Sequence, residues 1–281
     1  MSKVVRFVTL GCKVDQYETN AMAQKFLEKG YQIIDEITPE NEDIKPDICI
    51  INTCTVTNMS DRKSRQMLRR VKELNPNSIV IACGCYVQVA KDEVAKIEDI
   101  DLILGNNEKK NIVEHLEQYQ KDKKRQLEIE DLMQQREFIE FGDVTYTEKT
   151  RAVVKIQDGC DRFCSYCIIP YARGRVRSRK PEGIISEITK IAQEGIKEVV
   201  ITGIHVASYG KDFKENYGLI DLLEDLNKIK GIERIRLSSI EPLILDEQFI
   251  NRLSKLEKIC HNFHLSLQSG CDETLKRMNR R

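Results

Sequence analysis

"GCDRFCSYC", residues Gly159 to Cys167, decides how the second half of this sequence folds, because it places three cysteines at spacings of four and three. It directly follows the apolar run "RAVVKIQ" (151–157), which predicts a β-strand. A closed zinc or iron-sulfur site takes four protein ligands, so three thiolates leave one metal position open. An open position is typical of a catalytic centre. The stretch therefore predicts a three-cysteine metal centre on the loop after a strand.

The three cysteines, Cys160, Cys164 and Cys167, can hold three irons of a four-iron cluster and leave the fourth iron for a non-protein ligand. Phe163 and Tyr166 lie between them and would restrict water around such a cluster. A zinc site or a simple ferredoxin cluster are the alternatives. Ferredoxins use the tighter C-x2-C-x2-C pattern, and a zinc site would require a fourth Cys or His nearby, so a four-iron cluster is favoured.

The sequence around this loop alternates strand and helix patterns. Strands are predicted at "RAVVKIQ", "KEVVITG", "ERIRLSSI" and "NFHLSLQ", with helices around 181–194, 219–228 and 246–256. This alternation is of (β/α)-barrel type, in which sites lie on the loops after the strands. The chain stops at Arg281, soon after the fourth predicted strand, and four strands cannot close a barrel. We therefore expect a partial barrel, incomplete at the C-terminus, in a fragment of a longer protein.

The first half predicts an α/β domain with a doubly wound parallel sheet. Strand patterns "VVRFVTL", "DICIIN", "SIVIAC" and "IDLILG" alternate with helical patterns around 19–29, 60–74 and 87–97. Cys12, Cys54 and Cys85 follow the first three of these strands. Sites in such sheets form beyond the carboxyl ends of the strands, so these cysteines would converge as a second three-thiolate set. Alternatively, they are small buried apolar residues, as free cysteines often are.

Composition sets limits on the class of protein. The chain has 281 residues with 41% hydrophobic content, enough for an N-terminal domain (1–117), a charged linker (118–145) and a second domain (146–281). Basic and acidic residues both number 45, so a nucleic-acid partner would be held by a local basic patch or by something outside this chain. No apolar run approaches the about 18 residues of a membrane span, and no secretory signal is present, so we expect a cytoplasmic protein. In that reducing compartment, clustered cysteines favour metal binding over disulfides.

With these motifs in place, the sequence resembles a known family. The C-x3-C-x2-C loop after the first barrel strand is similar to that of radical S-adenosylmethionine enzymes. The stretches "TLGCKVDQYET", "INTCTVTN", "GCYVQ", "CIIPYARGRVRSR", "TGIHVASYG" and "LQSGCDETLKRMNRR" together resemble the methylthiotransferases over essentially the whole chain. Within them, "GCKV", "NTCTVT" and "PYARGR" with the following "RSR" resemble most the branch that acts on N6-threonylcarbamoyladenosine 37 of tRNA.

The resemblance implies a role for each cysteine set. Cys12, Cys54 and Cys85 would bind an auxiliary 4Fe-4S cluster, and the 160/164/167 set would bind the radical 4Fe-4S cluster, which makes the latter three the catalytic cysteines. One S-adenosylmethionine would give its methyl group to a sulfur carried on the auxiliary cluster. A second would yield a 5′-deoxyadenosyl radical that activates C2 of the adenine, where methylthio replaces hydrogen. Two such clusters would explain two cysteine sets.

Further residues are candidates for binding S-adenosylmethionine. The arginines of "RGRVRSR" suit either its carboxylate or the tRNA backbone, and polar residues follow the later barrel strands. His205 and Cys271 lie on such loops without an assigned role, and Cys83 is an alternative to Cys85. Asp15 follows Cys12 at a position where it can cap the next helix. The cofactor-binding candidates are Thr202, Gly203, Arg173, Arg177, Ser239, Glu241 and Gln268.

The resemblance also implies partners and leaves alternatives. The partners would be tRNAs that read codons starting with adenosine, an electron donor such as flavodoxin or ferredoxin, and a sulfur source. The family normally ends in an RNA-holding TRAM domain, which this sequence lacks. Alternative substrates are isopentenyladenosine 37 and a ribosomal-protein aspartate, and an alternative of another class is an iron-sulfur electron carrier or sensor. The electron carrier would hold clusters without cleaving S-adenosylmethionine.

Overall fold

The chain divides into two compact units in the computed structural model, Met1–Leu132 and Met133–Arg281. The structure describes residues 2–34, 44–146 and 150–280. None of the helices within these ranges is both long and apolar enough to cross a membrane.

The first unit is built on a parallel sheet of six strands in the order β2-β1-β3-β4-β5-β6. Its strands are β1 (Val4–Thr9), β2 (Gln32–Ile34), β3 (Ile48–Thr53), β4 (Ile79–Gly84), β5 (Leu102–Leu104) and β6 (Gln126–Glu128). Its helices are α1 (Lys13–Glu28), α2 (Asn58–Leu74), α3 (Cys85–Val89), α4 (Lys91–Ala95) and α5 (Ile112–Asp122).

This sheet confirms the α/β fold predicted for the N-terminal half. The four predicted strands are β1, β3, β4 and β5, and β3 is buried along its whole length, as expected of a central parallel strand. The edge strands β2 and β6 were missed because three residues are too few to show an alternation of apolar and polar side chains. The single helix predicted at 87–97 is two short helices, α3 and α4, which meet at Ala90.

The first unit extends to Leu132, so it includes the first part of the linker predicted at 118–145. Helix α5 continues through Asp122, and β6 then pairs with β5, so these residues belong to the first unit. The short pairing Leu102↔Gln126 to Leu104↔Glu128 explains the difference. Strand β6 is held by backbone hydrogen bonds to β5, and its charged sequence gives no sign of this pairing.

The second unit contains a four-stranded sheet in the order β10-β9-β7-β8. Its strands are β7 (Ala152–Asp158), β8 (Arg177–Ser178), β9 (Glu198–Gly203) and β10 (Arg234–Leu237), and β8 runs antiparallel to β7. Its helices are α6 (Ile169–Arg173), α7 (Pro181–Gln193), α8 (Leu219–Asn227), α9 (Glu247–Leu253) and α10 (Asp272–Arg277). The three parallel strands and their helices enclose one apolar core, to which Val154, Ile188, Ile201, Leu222 and Ile235 contribute.

The fourth predicted barrel strand, "NFHLSLQ", is wrong as a strand. Within the described residues this segment forms one isolated parallel bridge, between Ile240 and Leu265. Leu265 and Leu267 are 43% and 62% exposed, so the alternating apolar residues that suggested a strand have no covering layer. The pattern indicated a buried face, and the part of the chain that the structure describes does not cover it.

Candidate functional site

The first cysteine set lies at one edge of the first unit's sheet. Cys12, Cys54 and Cys85 follow β1, β3 and β4, which are neighbours in the sheet. Thr53 and Gly84, the last residues of β3 and β4, pair with each other. Cys54 and Cys85, which come next, therefore start from neighbouring points at the edge of the sheet. The convergence predicted from the parallel topology is thus present in the backbone.

The loop of Cys12 is fixed by an acid-base cluster. Cys12 is the N-cap of α1, and the carboxylate of Asp15 accepts its backbone N–H at 3.2 Å, which confirms the predicted capping role. Lys109 is fully buried, with its Nζ 2.6 Å from Glu18 Oε2 and 3.9 Å from Asp15 Oδ1. A buried ammonium near two carboxylates is stable only because it is paired, so this group holds α1 in place beneath the cysteine.

The other two cysteines of this set are also held by polar contacts. The hydroxyl of Ser64 on α2 donates to the Cys54 carbonyl at 2.9 Å and accepts the Cys54 N–H at 3.2 Å. Asn106 Nδ2 lies 4.0 Å from Cys85 Sγ. Cys83, in contrast, lies inside β4 and is fully buried. Sites in parallel sheets form beyond the carboxyl ends of the strands, so Cys85, which follows the strand, is the better candidate ligand.

The second set occupies the loop after β7. Cys160 and Cys164 are buried and Cys167 is half-buried. The loop is closed by a backbone bond from Cys160 N–H to the Gly174 carbonyl at 3.0 Å and by a turn from Cys167 N–H to the Cys164 carbonyl at 2.9 Å. Burial, together with the nearby thiols of the other two cysteines, raises the pKa of Cys160 to about 11. The three thiols lie close enough to influence one another's ionisation.

Two glycines that precede candidate ligands have no room for a side chain. Gly159 has φ +69°, and a Cβ there would lie 1.8 Å from the Arg175 carbonyl oxygen. Gly84 has φ +102°, and a Cβ there would lie 2.4 Å from the Thr53 carbonyl oxygen. By contrast, Gly270, which precedes Cys271, has open space around it. The repeated "GC" was visible in the sequence, but only the backbone shows that the glycine is required before Cys85 and Cys160.

A network of charged side chains borders the second cysteine set, centred on Glu241. Arg162 Nη2 donates to Glu241 Oε2 at 2.9 Å, and Arg280 Nη2 donates to Oε1 at 2.6 Å. Arg280 also places Nη1 3.8 Å from Cys164 Sγ. His205 Nε2 lies 2.8 Å from Glu241 Oε2. Sequence reasoning selected Glu241 but missed Arg162 and Arg280.

Glu241 should stabilise the second unit in a pH-dependent way. Burial acts to raise its pKa, but His205, Arg162 and Arg280 outweigh burial and lower the pKa to about 2. A depressed carboxyl pKa gives stability that is complete above the ordinary value near 4.5 and is lost as the pH falls toward 2. We expect Glu241→Gln to lower the free energy of unfolding by about 3 kcal/mol at pH 7.

The measurement is the urea midpoint of wild type and Glu241→Gln between pH 7 and pH 3. The two curves should approach each other as the pH falls through this range, because the wild-type carboxylate becomes protonated. Parallel curves with a constant gap would show that the charge of Glu241 is not what stabilises the fold. Glu247→Gln, an exposed carboxylate at the start of α9, is the control and should follow the wild type.

The two arginines predicted to bind cofactor are buried in the second unit. Arg173 and Arg177 each place a guanidinium nitrogen 3.6 Å from Asp158 Oδ2, and Lys155 Nζ lies 2.5 Å from the same oxygen. Arg173 and Arg177 are at most 1% exposed. This burial favours contact with a small cofactor over contact with a tRNA backbone, and both roles stay predictions.

The remaining candidates lie at strand ends but differ in exposure. Thr202 and Gly203 close β9, and Thr202 is buried. Ser239 follows β10, is exposed and shares a 2.6 Å hydrogen bond with His264 Nδ1. Gln268 accepts a hydrogen bond from Tyr166 of the cysteine loop at 3.2 Å. Of these four, Gln268 is the one with a hydrogen bond to the cysteine loop, and their cofactor-binding roles stay predictions.

The arrangement of the sulfurs bears on which metal group fits. Among the described residues, no three His, Cys, Asp or Glu side chains surround one point closely enough to hold a single metal ion. In a four-iron cluster each thiolate binds a different iron, so the ligands need not converge on one point. A four-iron cluster on each three-cysteine set therefore stays the prediction.

Comparisons with known proteins agree with the division of the chain into two units. Residues 4–105 match the model of the uncharacterized protein family UPF0004, and residues 154–281 match that of the radical SAM superfamily. The fold is also similar to that of the radical S-adenosylmethionine methyltransferase TsrM from Kitasatospora setae. The TM-score is 0.67 at 14% identity, over 98% of this chain and 61% of that one.

The chain therefore combines a UPF0004-like region with a radical SAM region, which agrees with the resemblance seen in the sequence. The names of its curated relatives specify an activity on tRNA. It is 42% identical to threonylcarbamoyladenosine tRNA methylthiotransferase MtaB of Aquifex aeolicus, over 98% of this chain and 65% of that protein. It is 40% identical to MtaB of Bacillus subtilis, over 99% of this chain and 60% of that protein.

A relative with another substrate is less similar. The tRNA-2-methylthio-N(6)-dimethylallyladenosine synthase of Desulforamulus reducens is 35% identical, over 99% of this chain and 61% of that protein. The chain thus spans about 60 to 65% of the length of these curated relatives. Membership of the radical SAM superfamily implies S-adenosylmethionine and one 4Fe-4S cluster.

Proposed function

We propose that this chain carries the catalytic domains of a tRNA methylthiotransferase, which inserts a methylthio group at C2 of N6-threonylcarbamoyladenosine 37. The observation that carries the proposal is the pair of three-cysteine sets. In the first set, the cysteines follow three adjacent strands of a parallel sheet. The second set occupies the loop after β7. A radical enzyme that only abstracts hydrogen needs one such set. A second set is accounted for when sulfur must also be delivered.

The cysteines would hold two 4Fe-4S clusters, the auxiliary one on Cys12, Cys54 and Cys85, and the radical one on Cys160, Cys164 and Cys167. When bound, these clusters and S-adenosylmethionine supply the sulfur, the methyl group and the hydrogen-abstracting radical. An electron donor such as flavodoxin or ferredoxin and a sulfur source complete the set of partners.

The residues around the second set would orient the cofactor and limit water. Glu241 carries a carboxylate that two arginines keep ionised beside the cysteine loop, where a charged cofactor group would meet fixed charges. A cavity of about 480 Å³ opens next to Arg162 and Glu241, within the usual size range of small-molecule sites. Phe163 packs edge-on against Tyr171 with ring centroids 6.0 Å apart, which shields one side of the loop from water.

The choice of substrate rests on the motifs and on identity. The proteins named as threonylcarbamoyladenosine methylthiotransferases reach 40% and 42% identity, and the dimethylallyladenosine synthase reaches 35%. We infer the threonylcarbamoyl branch, with dimethylallyladenosine 37 as the alternative. The two branches differ in their substrate, and the proposed roles of the six cysteines are the same in both.

The test is the nucleoside content of tRNA in a strain that lacks its own methylthiotransferases and expresses the full-length gene. Mass spectrometry should detect 2-methylthio-N6-threonylcarbamoyladenosine, and a Cys160→Ala variant should restore none. Methylthiolated dimethylallyladenosine instead would transfer the proposal to the alternative branch. Unmodified tRNA with an active, cluster-loaded protein would refute a tRNA substrate.

A further inference from the structure

Helix α2 carries a concentration of positive charge that the proposed chemistry does not use. Six of its residues are basic and two are acidic, in a chain that has equal numbers of basic and acidic residues overall. Leu68, Val71 and Ser64 face the core. The opposite side is formed by what we call the α2 basic face, namely Arg62, Lys63, Arg65, Arg69 and Arg70.

Four of these five side chains have no salt-bridge partner in the part of the chain that the structure describes. Within the described residues, Arg62, Lys63, Arg69 and Arg70 take part in no ion pair. Arg65 stacks over the ring of Tyr86, with its guanidinium carbon 5.7 Å from the ring centroid. Solvated helix faces usually interleave both signs at spacings of three and four, because like charges at those spacings destabilise the helix. Asp61–Arg65 and Arg69–Glu73 are opposite-charge pairs at a spacing of four, whereas Arg62–Arg65 and Arg65–Arg69 are like-charged pairs. Helix-stabilising pairs therefore account for only part of the pattern.

The face also has a shape that suits an extended anion. A shallow depression of about 410 Å³ is lined by Arg62, Arg65, Gln66, Arg69, Arg70 and Glu73. At a rise of about 1.5 Å per residue, Arg62 and Arg70 lie about 12 Å apart along the helix axis. Phosphates follow each strand of a duplex at about 3.4 Å along its axis, so the face can meet several of them. Arginine suits phosphate oxygens because its planar group donates two parallel hydrogen bonds.

The face is connected to the first cysteine set. Helix α2 begins at Asn58, shortly after Cys54, and its Ser64 bonds both backbone groups of Cys54. The exposed side chains of Val56 and Met59 lie between that cysteine and the first arginine of the face. A nucleic-acid strand bound along these arginines would therefore run toward the loop of Cys54, where the auxiliary cluster is proposed.

We propose that the α2 basic face binds the phosphate backbone of the RNA substrate. The inference rests on the proposed function, which makes a tRNA the substrate, and adds the surface that holds it. The local basic patch that a chain of zero net charge requires is then located in the first unit.

The test compares the wild-type chain with Arg62→Gln/Arg69→Gln/Arg70→Gln. The probe is a fluorescein-labelled RNA hairpin with the sequence of a tRNA anticodon stem-loop, and its binding is followed by anisotropy at several KCl concentrations. We expect the triple variant to bind about tenfold more weakly or worse at low salt. The slope of log affinity against log salt should fall by about 2, since each lost phosphate contact removes about 0.7.

The matched control is Lys121→Gln/Lys123→Gln/Lys124→Gln, which removes the same charge from exposed positions around the end of α5. It should keep the wild-type salt slope. Equal losses in both variants, or no RNA binding by the wild type at low salt, would overturn the inference.

The nucleoside analysis distinguishes failure of the proposed function from failure of this inference. If tRNA is methylthiolated but the triple variant binds like the control, the function stands and the RNA lies elsewhere. If the face binds RNA but no methylthio nucleoside forms, the face is established and the reaction is wrong.

Discussion

Replacing Cys160, Cys164 and Cys167 together by alanine is expected to abolish reductive cleavage of S-adenosylmethionine, with 5′-deoxyadenosine falling to the background of the assay. The reason is chemical, because thiolates are the protein ligands of 4Fe-4S clusters and alanine offers none. The matched variant, Cys12→Ala/Cys54→Ala/Cys85→Ala, removes the other set of three. It should still form 5′-deoxyadenosine but should yield no methylthiolated RNA.

The assay is chromatography of 5′-deoxyadenosine after anaerobic incubation of each reconstituted protein with S-adenosylmethionine and dithionite. Full cleavage activity in the 160/164/167 variant would contradict the assignment of that loop. Loss of cleavage in both variants, with folding retained, would show that the two sets do not act separately. Cys49→Ala, a change in the interior of β3, is the control for removal of a cysteine as such.

Gly159→Ala is expected to destabilise the second unit by about 4 kcal/mol. Two costs combine here, left-handed backbone strain of about 1 kcal/mol or more and overpacking of about 1–3 kcal/mol. The structure shows both, φ +69° and a Cβ position 1.8 Å from the Arg175 carbonyl oxygen. That oxygen belongs to backbone and cannot rotate away, so the cysteine loop itself must shift. The change should also reduce iron bound by the loop.

Gly195→Ala separates the two costs in the same unit. Gly195 has φ +89° but nothing within 4 Å of its Cβ position, so only the strain applies and the loss should be about 1 kcal/mol. The measurement is the urea midpoint of each variant under anaerobic conditions. Equal effects of the two substitutions would show that the close approach to Arg175 is not what fixes the loop.

The sequence was informative where chemistry is concentrated in short motifs. The carboxyl-end rule for parallel sheets predicted that Cys12, Cys54 and Cys85 lie at one edge of the sheet, and the strands that they follow are neighbours in it. Glu241 was found because it follows a strand. Arg280 was not, because it comes 116 residues after its contact Cys164 and no local pattern connects them.

Other errors have a common physical origin. "NFHLSLQ" has the alternation of a strand, yet a strand forms only if its face is covered, and Leu267 remains 62% exposed. Arg173 and Arg177 were predicted to bind the cofactor or the tRNA backbone, and the sequence did not show that both would be buried beside Asp158. Burial of charge depends on partners, which a single sequence does not display.

The central claim is that the chain holds two separate clusters, one on each cysteine set. Iron and acid-labile sulfide per chain, after anaerobic reconstitution, test it most directly. We predict about eight irons in the wild type and about four in each three-alanine variant, as two four-iron clusters require. About four irons in the wild type and none in the 160/164/167 variant would contradict the claim, because the first set would then bind no cluster.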